Sequence, residues 1–457
     1  MPDFGGYRPH YQGYGTTTAG GRGGVLHRVT NLNNAGVGSL RKALEAPGAR
    51  CVVFETSGRI QLTSPIEISN PFLTVAGQTA PAPGITISHQ PIVIDTTDVV
   101  LQHFRIRLGT ASGYTFPNQT YALRLLGNVN AVLNIVLDHL SLAWATSTIL
   151  SMQTFLRSVT DVSVLDCLIA EAMDPPYPPP NHTENNGALW LVGALKTGTF
   201  ARNLTAHVDH RTPWLAAGTR FSGLNNVAYN ARSVSASVNG FFTLMSEIAD
   251  GFGNPPPPIE AVWIGNVTIA GAQTGAASKA VLVGKIENTV TINQLYLADN
   301  TGPFQTLANQ WGGVDYYNFA NEANTRIDTV PTWHSAFNYE VLANASVEAS
   351  VRASAGARPN ERNDAATRDG NDYRVVQDVL NRTGAIPGAE TDAAIGGYPV
   401  VPVNTRAYVD PASPNAIAPG ETFRTNREVY LESLAVAVES LAGAGTSGLR
   451  MLVGVGT

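Results

Sequence analysis

Cysteine is nearly absent from this chain: Cys51 and Cys167 are the two in 457 residues. Two thiols exclude a disulfide framework, and they lack the spacing of a metal-ligand pair. Cys167, inside Val162-Ser163-Val164-Leu165-Asp166-Cys167-Leu168-Ile169, reads as a small buried thiol. Charge is scarce too, at 14% of residues, and the net charge of −6 leaves no basic footprint for nucleic acid. That balance mildly repels a polyanion, so such a ligand needs local cations or a metal at its site. Lysine is confined to Lys42, Lys196, Lys279 and Lys285, and arginine carries most of the positive charge. No apolar run is long enough to span a bilayer, so a membrane partner is not expected. Met1-Pro2-Asp3-Phe4-Gly5-Gly6-Tyr7 has neither the basic flank nor the apolar core of a signal peptide. Two readings fit: a mature secreted protein with an added Met, or a chain exported without such a signal, for example a virion component.

Glycine is plentiful, with 44 residues, and aromatic residues are 8%. This suits a turn-rich β protein. A compact globule of this length would divide into two or three domains, whereas a solenoid escapes that count because each coil packs only on its neighbours. From about residue 51, brief runs alternate apolar and polar residues, among them Cys51-Val52-Val53-Phe54, Ile66-Glu67-Ile68, Leu73-Thr74-Val75, Ile85-Thr86-Ile87 and Val267-Thr268-Ile269. Period two marks strands with one buried face. The segments between them are too short for helical crossovers, which leaves a coiled parallel sheet or a sandwich of hairpins. Asn70, Asn128, Asn130, Asn203, Asn225, Asn226 and Asn300 favour the coil, since Asn tolerates the left-handed backbone of tight corners.

Three regions follow. Residues 1–50 form an N-terminal segment, in which Ser39 caps a short helix over Leu40-Arg41-Lys42-Ala43-Leu44 that closes the first coil. Gly20-Gly21-Arg22-Gly23-Gly24 lacks the Lys-Ser/Thr of a phosphate loop and reads as a turn. Residues 51–325 form the solenoid, interrupted by the proline-rich stretches at 175–180 and 255–258. Residues 326–457 form a partly helical tail that packs on the solenoid or covers its last coil. Its helices are expected over Val351 to Gly356, over Arg374 to Leu380, and over Glu428 to Leu441 behind a cap at Thr425 or Asn426.

An ordered series of segments then resembles the bacterial pectate lyase family. Gly20-Gly21-Arg22-Gly23-Gly24, Gly36-Val37-Gly38-Ser39-Leu40-Arg41 and Ala76-Gly77-Gln78-Thr79-Ala80-Pro81 are similar to its opening coils. Asp138-His139, Ser141-Leu142-Ala143-Trp144 and Ala170-Glu171-Ala172 are similar to its middle. Arg211-Thr212-Pro213 and Leu224-Asn225-Asn226-Val227-Ala228-Tyr229-Asn230 follow in the family's order. The resemblance implies an all-β, right-handed parallel β-helix. It also implies β-elimination on a uronate-containing glycan, with polygalacturonate the default substrate and the protein secreted and monomeric.

The resemblance makes Arg211 the catalytic base, or a cation that steadies the charge developing beside the uronate carboxylate. Arg220 and Arg202 are expected to bind substrate carboxylates. Trp190 and Trp214 offer faces for sugar stacking, and His182 lies in the proline-rich loop beside the groove. Calcium is the cofactor the family implies, yet Tyr121, Ser147, Thr148 and Ser151 stand where it tends to place acids. Glu171 and Asp174 are the remaining candidate ligands, with solvated loop acids as the bland reading. Asp138 and His139 read as a structural feature of the coil, and Trp144 as core. The rival function is a non-catalytic glycan-binding β-helix, a virion or surface protein that lost the calcium site.

Overall fold

A computed structural model describes residues 12–109, 121–154, 156–173, 187–192, 196–232, 240–246, 257–285, 293–318, 320–337 and 339–439. Its strands wind into a right-handed parallel β-helix. Among the described residues one sheet has ten strands, from Val25–Val29 to Gln294–Ala298, a second has eight, from Gly58–Gln61 to Val267–Ile269, and a third has nine, from Ile66–Ile68 to Val314–Asn318. Every strand-to-strand pairing is parallel, and each coil contributes in turn to the ten-, eight- and nine-stranded sheets.

Alternation sets the interior. Val99 and Leu101, Ile135 and Leu137, and Val162 and Val164 stack into one apolar cluster with Leu123, Leu125, Leu150 and Met152 of the nine-stranded sheet. Each fully buried Leu, Ile or Val contributes roughly 1.5–3 kcal/mol, so the cluster is the main source of stability. The corner between the ten- and eight-stranded sheets is left-handed at His103, His139, Asp166, Arg202 and Asn225, with φ from 50° to 57° among His139, Asn225, Asp166, His103 and Arg202. A ladder of asparagines, Asn203, Asn226, Asn266 and Asn300, comes one position after the corner residues. The Asn226 side chain accepts the Asn203 backbone N–H, that of Asn266 accepts the Asn226 N–H, and that of Asn300 accepts the Asn266 N–H. Cys167 stands one rung before this ladder and gives its N–H to Asn203, as a buried free thiol. The ladder satisfies corner backbone groups that no strand can reach.

The N-terminal segment and the tail cover two of the three faces. Helix α1 (Leu40–Leu44) carries Ser39 as its cap, the hydroxyl accepting the Lys42 N–H. The sheet itself already begins at Val25–Val29, within the expected N-terminal segment. Gly21 sits against the first coil, where a Cβ would come 2.0 Å from the Arg50 carbonyl oxygen, so no other residue fits without displacement. A short helix, α2 (Thr332–Ser335), opens the tail. Helix α3 (Asn344–Ser354) begins earlier than the sequence suggests, and with α4 (Gly370–Asn381) it lays Val347, Val351, Val375 and Val379 on Leu168, Leu204, Val227 and Tyr229 of the eight-stranded sheet. Helix α5 (Asn426–Val438) starts with a capping box of Thr425 and Glu428 and packs Leu431 on Cys51, Val53 and Ala76 of the ten-stranded sheet.

A buried charge cluster fixes α4. Arg107, fully buried, donates to Asp369 at 2.9 Å and to Asp372 at 2.8 Å, and Arg105 donates to Asp372 at 3.0 Å. Burial alone would raise the Asp369 pKa, but the Arg107 and Arg105 guanidiniums hold it far below the usual carboxylate range. With the ten- and eight-stranded sheets packed under the N-terminal segment and the tail, the outer face of the nine-stranded sheet is, among the described residues, the one these segments leave clear.

Candidate active site

Strand register builds the site on that clear face. Glu67, Val93, Arg124, Ser151, Trp190, Trp214 and Thr243 occupy successive rungs of one row of the nine-stranded sheet. Their neighbours Ile66, Ile92, Leu123 and Leu150 fill the core, so Glu67, Val93, Arg124 and Ser151 point away from it. Rungs are about 4.8 Å apart, which makes the row a straight track for an extended polymer.

Arg211 leads into this row from the corner after the eight-stranded sheet, with φ at 65°. It is 9% exposed. Its Nη1 donates to Thr148 Oγ1 at 3.1 Å, and its guanidinium carbon lies 5.5 Å from the Trp214 ring centre. The next residues pin the segment: Thr212 N–H and hydroxyl both donate to the Phe241 carbonyl, and Thr243 N–H donates to the Pro213 carbonyl. His210, edge-on to Trp214, is buried, and burial with the Arg211 charge beside it pushes its pKa well below the ordinary imidazole range. A neutral imidazole therefore flanks the arginine. Ser151 Oγ, Trp214 Nε1 and Thr243 Oγ1 are buried without a hydrogen-bond partner among the described residues. A track with unused donors suits a ligand rich in hydroxyl and carboxylate groups.

The structure brings Arg211 and Trp214 together and places Arg220, Arg202 and Glu171 elsewhere. Arg220 lies on the ten-stranded sheet, where its Nη2 meets Glu260 at 2.6 Å and its charge covers the Trp333 ring. Arg202 stands at the corner between the ten- and eight-stranded sheets and is paired with Asp166 at 2.7 Å, beside Ser354 of α3. Neither shares the face of Arg211. Glu171 is wholly buried at the exit of the eight-stranded sheet, accepting the Trp144 indole N–H at 2.9 Å and an Arg374 N–H at 2.5 Å. One oxygen is engaged by the solenoid's Trp144 and the other by Arg374 of the tail, which removes it from the groove as a metal ligand. Asp174, His182 and the Trp190 side chain lie outside the described residues. Asp209 receives Arg232 at 2.6 Å.

Arg124 was missed by sequence reasoning. It sits next to Ser151 in the row, above the Tyr121 ring and bonded to Gln153. The run Leu123-Arg124-Leu125 carried the signal, since alternation sends the middle residue outward. His210 carried none beyond its position before Arg211.

Calcium demands six to eight oxygens with several carboxylates among them. The described groove oxygens are the hydroxyls of Ser147, Thr148, Ser151 and Thr243 and one carboxylate, Glu67 at the end of the row, with Glu171 engaged elsewhere, and they do not fit that ion. Among the described residues the one group of three or more His, Cys, Asp or Glu side chains placed to share a metal is His103, Asp138, His139 and Glu439, at the opposite corner. There Asp138 and His139 do touch, Oδ1 to Nδ1 at 2.7 Å, because His139 turns the corner and leaves the strand's alternation. Trp144 is fully buried, as expected for core.

No family model matches the chain. It is 31% identical over 224 residues to a probable pectate lyase C of Aspergillus oryzae and 30% identical over 225 residues to one of Aspergillus fumigatus. Each match covers 49% of this chain and 47% of the relative, so the chain spans about half the length of the curated relatives it matches. These relatives are fungal, where the sequence resemblance pointed to the bacterial family. In fold the chain is similar to the cedar pollen allergen jun a 1, with a TM-score of 0.50 at 13% identity over 74% of this chain and 90% of that one. It is equally similar, at a TM-score of 0.50 and 11% identity, to a pectate lyase bound to a hexasaccharide, over 77% of this chain and 98% of that one.

Proposed function

We propose that this protein is a polysaccharide lyase that cleaves a uronate-containing glycan, polygalacturonate by default, by β-elimination. The observation that carries the reading is Arg211, buried on the clear face of the solenoid, oriented by Thr148 and stacked on Trp214. The similarity to fungal pectate lyases over half the chain supports it.

In the reaction the C5 proton of a uronate leaves, its electron pair forms the C4–C5 double bond, and the C4–O bond breaks with the leaving oxygen taking up a proton. The C5 proton is acidic only when charge on the neighbouring carboxylate is neutralised. Arg211 is the group at hand, either taking the proton or holding the enolate-like dianion. With His210 neutral, Arg124 is the further cation on the row and offsets the next carboxylate along the polymer. No step passes through calcium. A secreted, monomeric enzyme acting on an extracellular polymer belongs to the same proposal.

Ultraviolet absorbance of the unsaturated uronate product tests the reading, on polygalacturonate and related uronans, for the wild type beside Arg211→Ala. Rising absorbance lost in the variant supports the lyase. The scarcity of groove carboxylates among the described residues favours the second reading, a glycan-binding β-helix. A flat trace from folded protein that retains uronan binding would establish it.

A further inference from the structure

The Asp138-His139 corner holds a donor set that elimination chemistry does not use. His103 and His139 follow one another at equivalent corners of adjacent coils, their rings stacked 4.8 Å apart. Between them and the end of α5, four ligand atoms lie within 4.8 Å of one another, contributed by His103, Asp138, His139 and Glu439. All four residues are buried.

The hydrogen bonds around the cluster orient it inward. His103 Nδ1 donates to the Ala357 carbonyl at 2.9 Å, which leaves the lone pair on Nε2. That Nε2 is fully buried without a hydrogen-bond partner, and Glu439 Oε1 stands 3.4 Å away. The same Glu439 oxygen is 3.9 Å from His139 Nδ1. Asp138 keeps one oxygen toward His139, while Gln102 donates to the other at 3.0 Å. Such outer contacts, a carbonyl on one imidazole and an amide on the carboxylate, are what fix ligands around a bound ion.

We propose that His103, Asp138, His139 and Glu439 form a four-coordinate site for a divalent transition-metal ion, zinc by preference, which fastens the end of α5 to the solenoid. Two imidazoles and two carboxylates suit zinc, and with four buried ligands and no open position the site is structural. The donor set is too rich in nitrogen for calcium. Three ligands come from two adjacent coils and the fourth from the far end of the described tail, so the ion would cross-link segments that are distant along the chain.

The test uses the full-length protein, stripped by chelator and titrated with zinc(II) by calorimetry and with cobalt(II) by visible absorption. The expected result is one ion per chain, intense cobalt bands of tetrahedral type, and a zinc-dependent rise in thermal midpoint. Glu439→Gln keeps the size of the side chain at a helix end and should weaken binding by at least about tenfold while far-ultraviolet circular dichroism is unchanged. His103→Gln should do the same. Glu348→Gln, which disturbs ion pairs with Arg382 and Arg352 away from this corner, should bind like wild type. Folded wild type that takes up no stoichiometric zinc or cobalt would overturn the proposal, leaving a bare imidazole–carboxylate cluster. Equal binding by wild type and Glu439→Gln would overturn it as well.

Discussion

The Arg211 guanidinium lies 5.5 Å from the centre of the Trp214 ring while its Nη1 bonds to Thr148. One residue supplies the charge and the other the flat face. They come from the same corner-to-strand segment, so substrate position and charge position are set together.

Arg211→Ala should lower turnover on polygalacturonate by at least about 100-fold, the usual loss when a group stabilising developing charge is removed. Arg211→Lys should not restore it, because an ammonium cannot reproduce the planar fork that bonds to Thr148 and stacks on Trp214. Initial rates of product absorbance decide this, with thermal midpoints confirming that both variants fold.

Trp214→Ala should act mainly on binding. Loss of the aromatic face removes about 1 kcal/mol, roughly fivefold in KM, with a smaller change in kcat because the guanidinium loses its support. Trp214→Phe should recover most of the binding. A pure kcat effect in Trp214→Ala would remove the tryptophan from the sugar track.

Chelation should separate the two ends of the coil. Apart from Glu67 at the end of the row, hydroxyls make up the described groove donors, so turnover should persist in chelator. The same treatment should lower the thermal midpoint by emptying the His103 and His139 corner. Turnover lost on chelation and restored by calcium would contradict the groove as described.

Asp369→Asn should destabilise the protein by about 3–5 kcal/mol in chemical denaturation, because Arg107 would remain buried with one of its two carboxylates neutralised. The sign of the pH effect follows from its depressed folded pKa. The contribution is fully present above the unfolded carboxyl value of about 3.9 and is lost as pH falls from there through the folded value. Wild type should therefore lose this increment only in acid, while the variant lacks it throughout.

Much of the fold was readable because its signals are local. Alternation along Ile66-Glu67-Ile68 states which side is buried, and the capping box of Thr425 and Glu428 marks where α5 begins. Arg211 and Trp214, three residues apart, come together because one short segment carries both. The misplaced residues depend on partners that the chain brings from elsewhere. Spacing cannot show that Glu171 meets Arg374, that Arg202 meets Asp166, or that Arg220 meets Glu260. Alternation assigns an outer face to a strand but does not say which outer faces the tail will cover. Arg124 escaped notice although its alternation was legible, since its use depends on belonging to the sheet that stays clear.

The end of the described chain returns to its beginning: Glu428 of α5 bonds to Arg22, Arg427 to the Gly24 carbonyl, and Leu431 packs on the strand Arg50–Phe54. On the ribosome the coil at Arg50–Phe54 is made well before its cover. Until α5 emerges, Cys51, Val53 and Ala76 present a bare apolar stripe to solvent. The interval of synthesis between them is when this protein is most exposed to self-association and has most need of a chaperone.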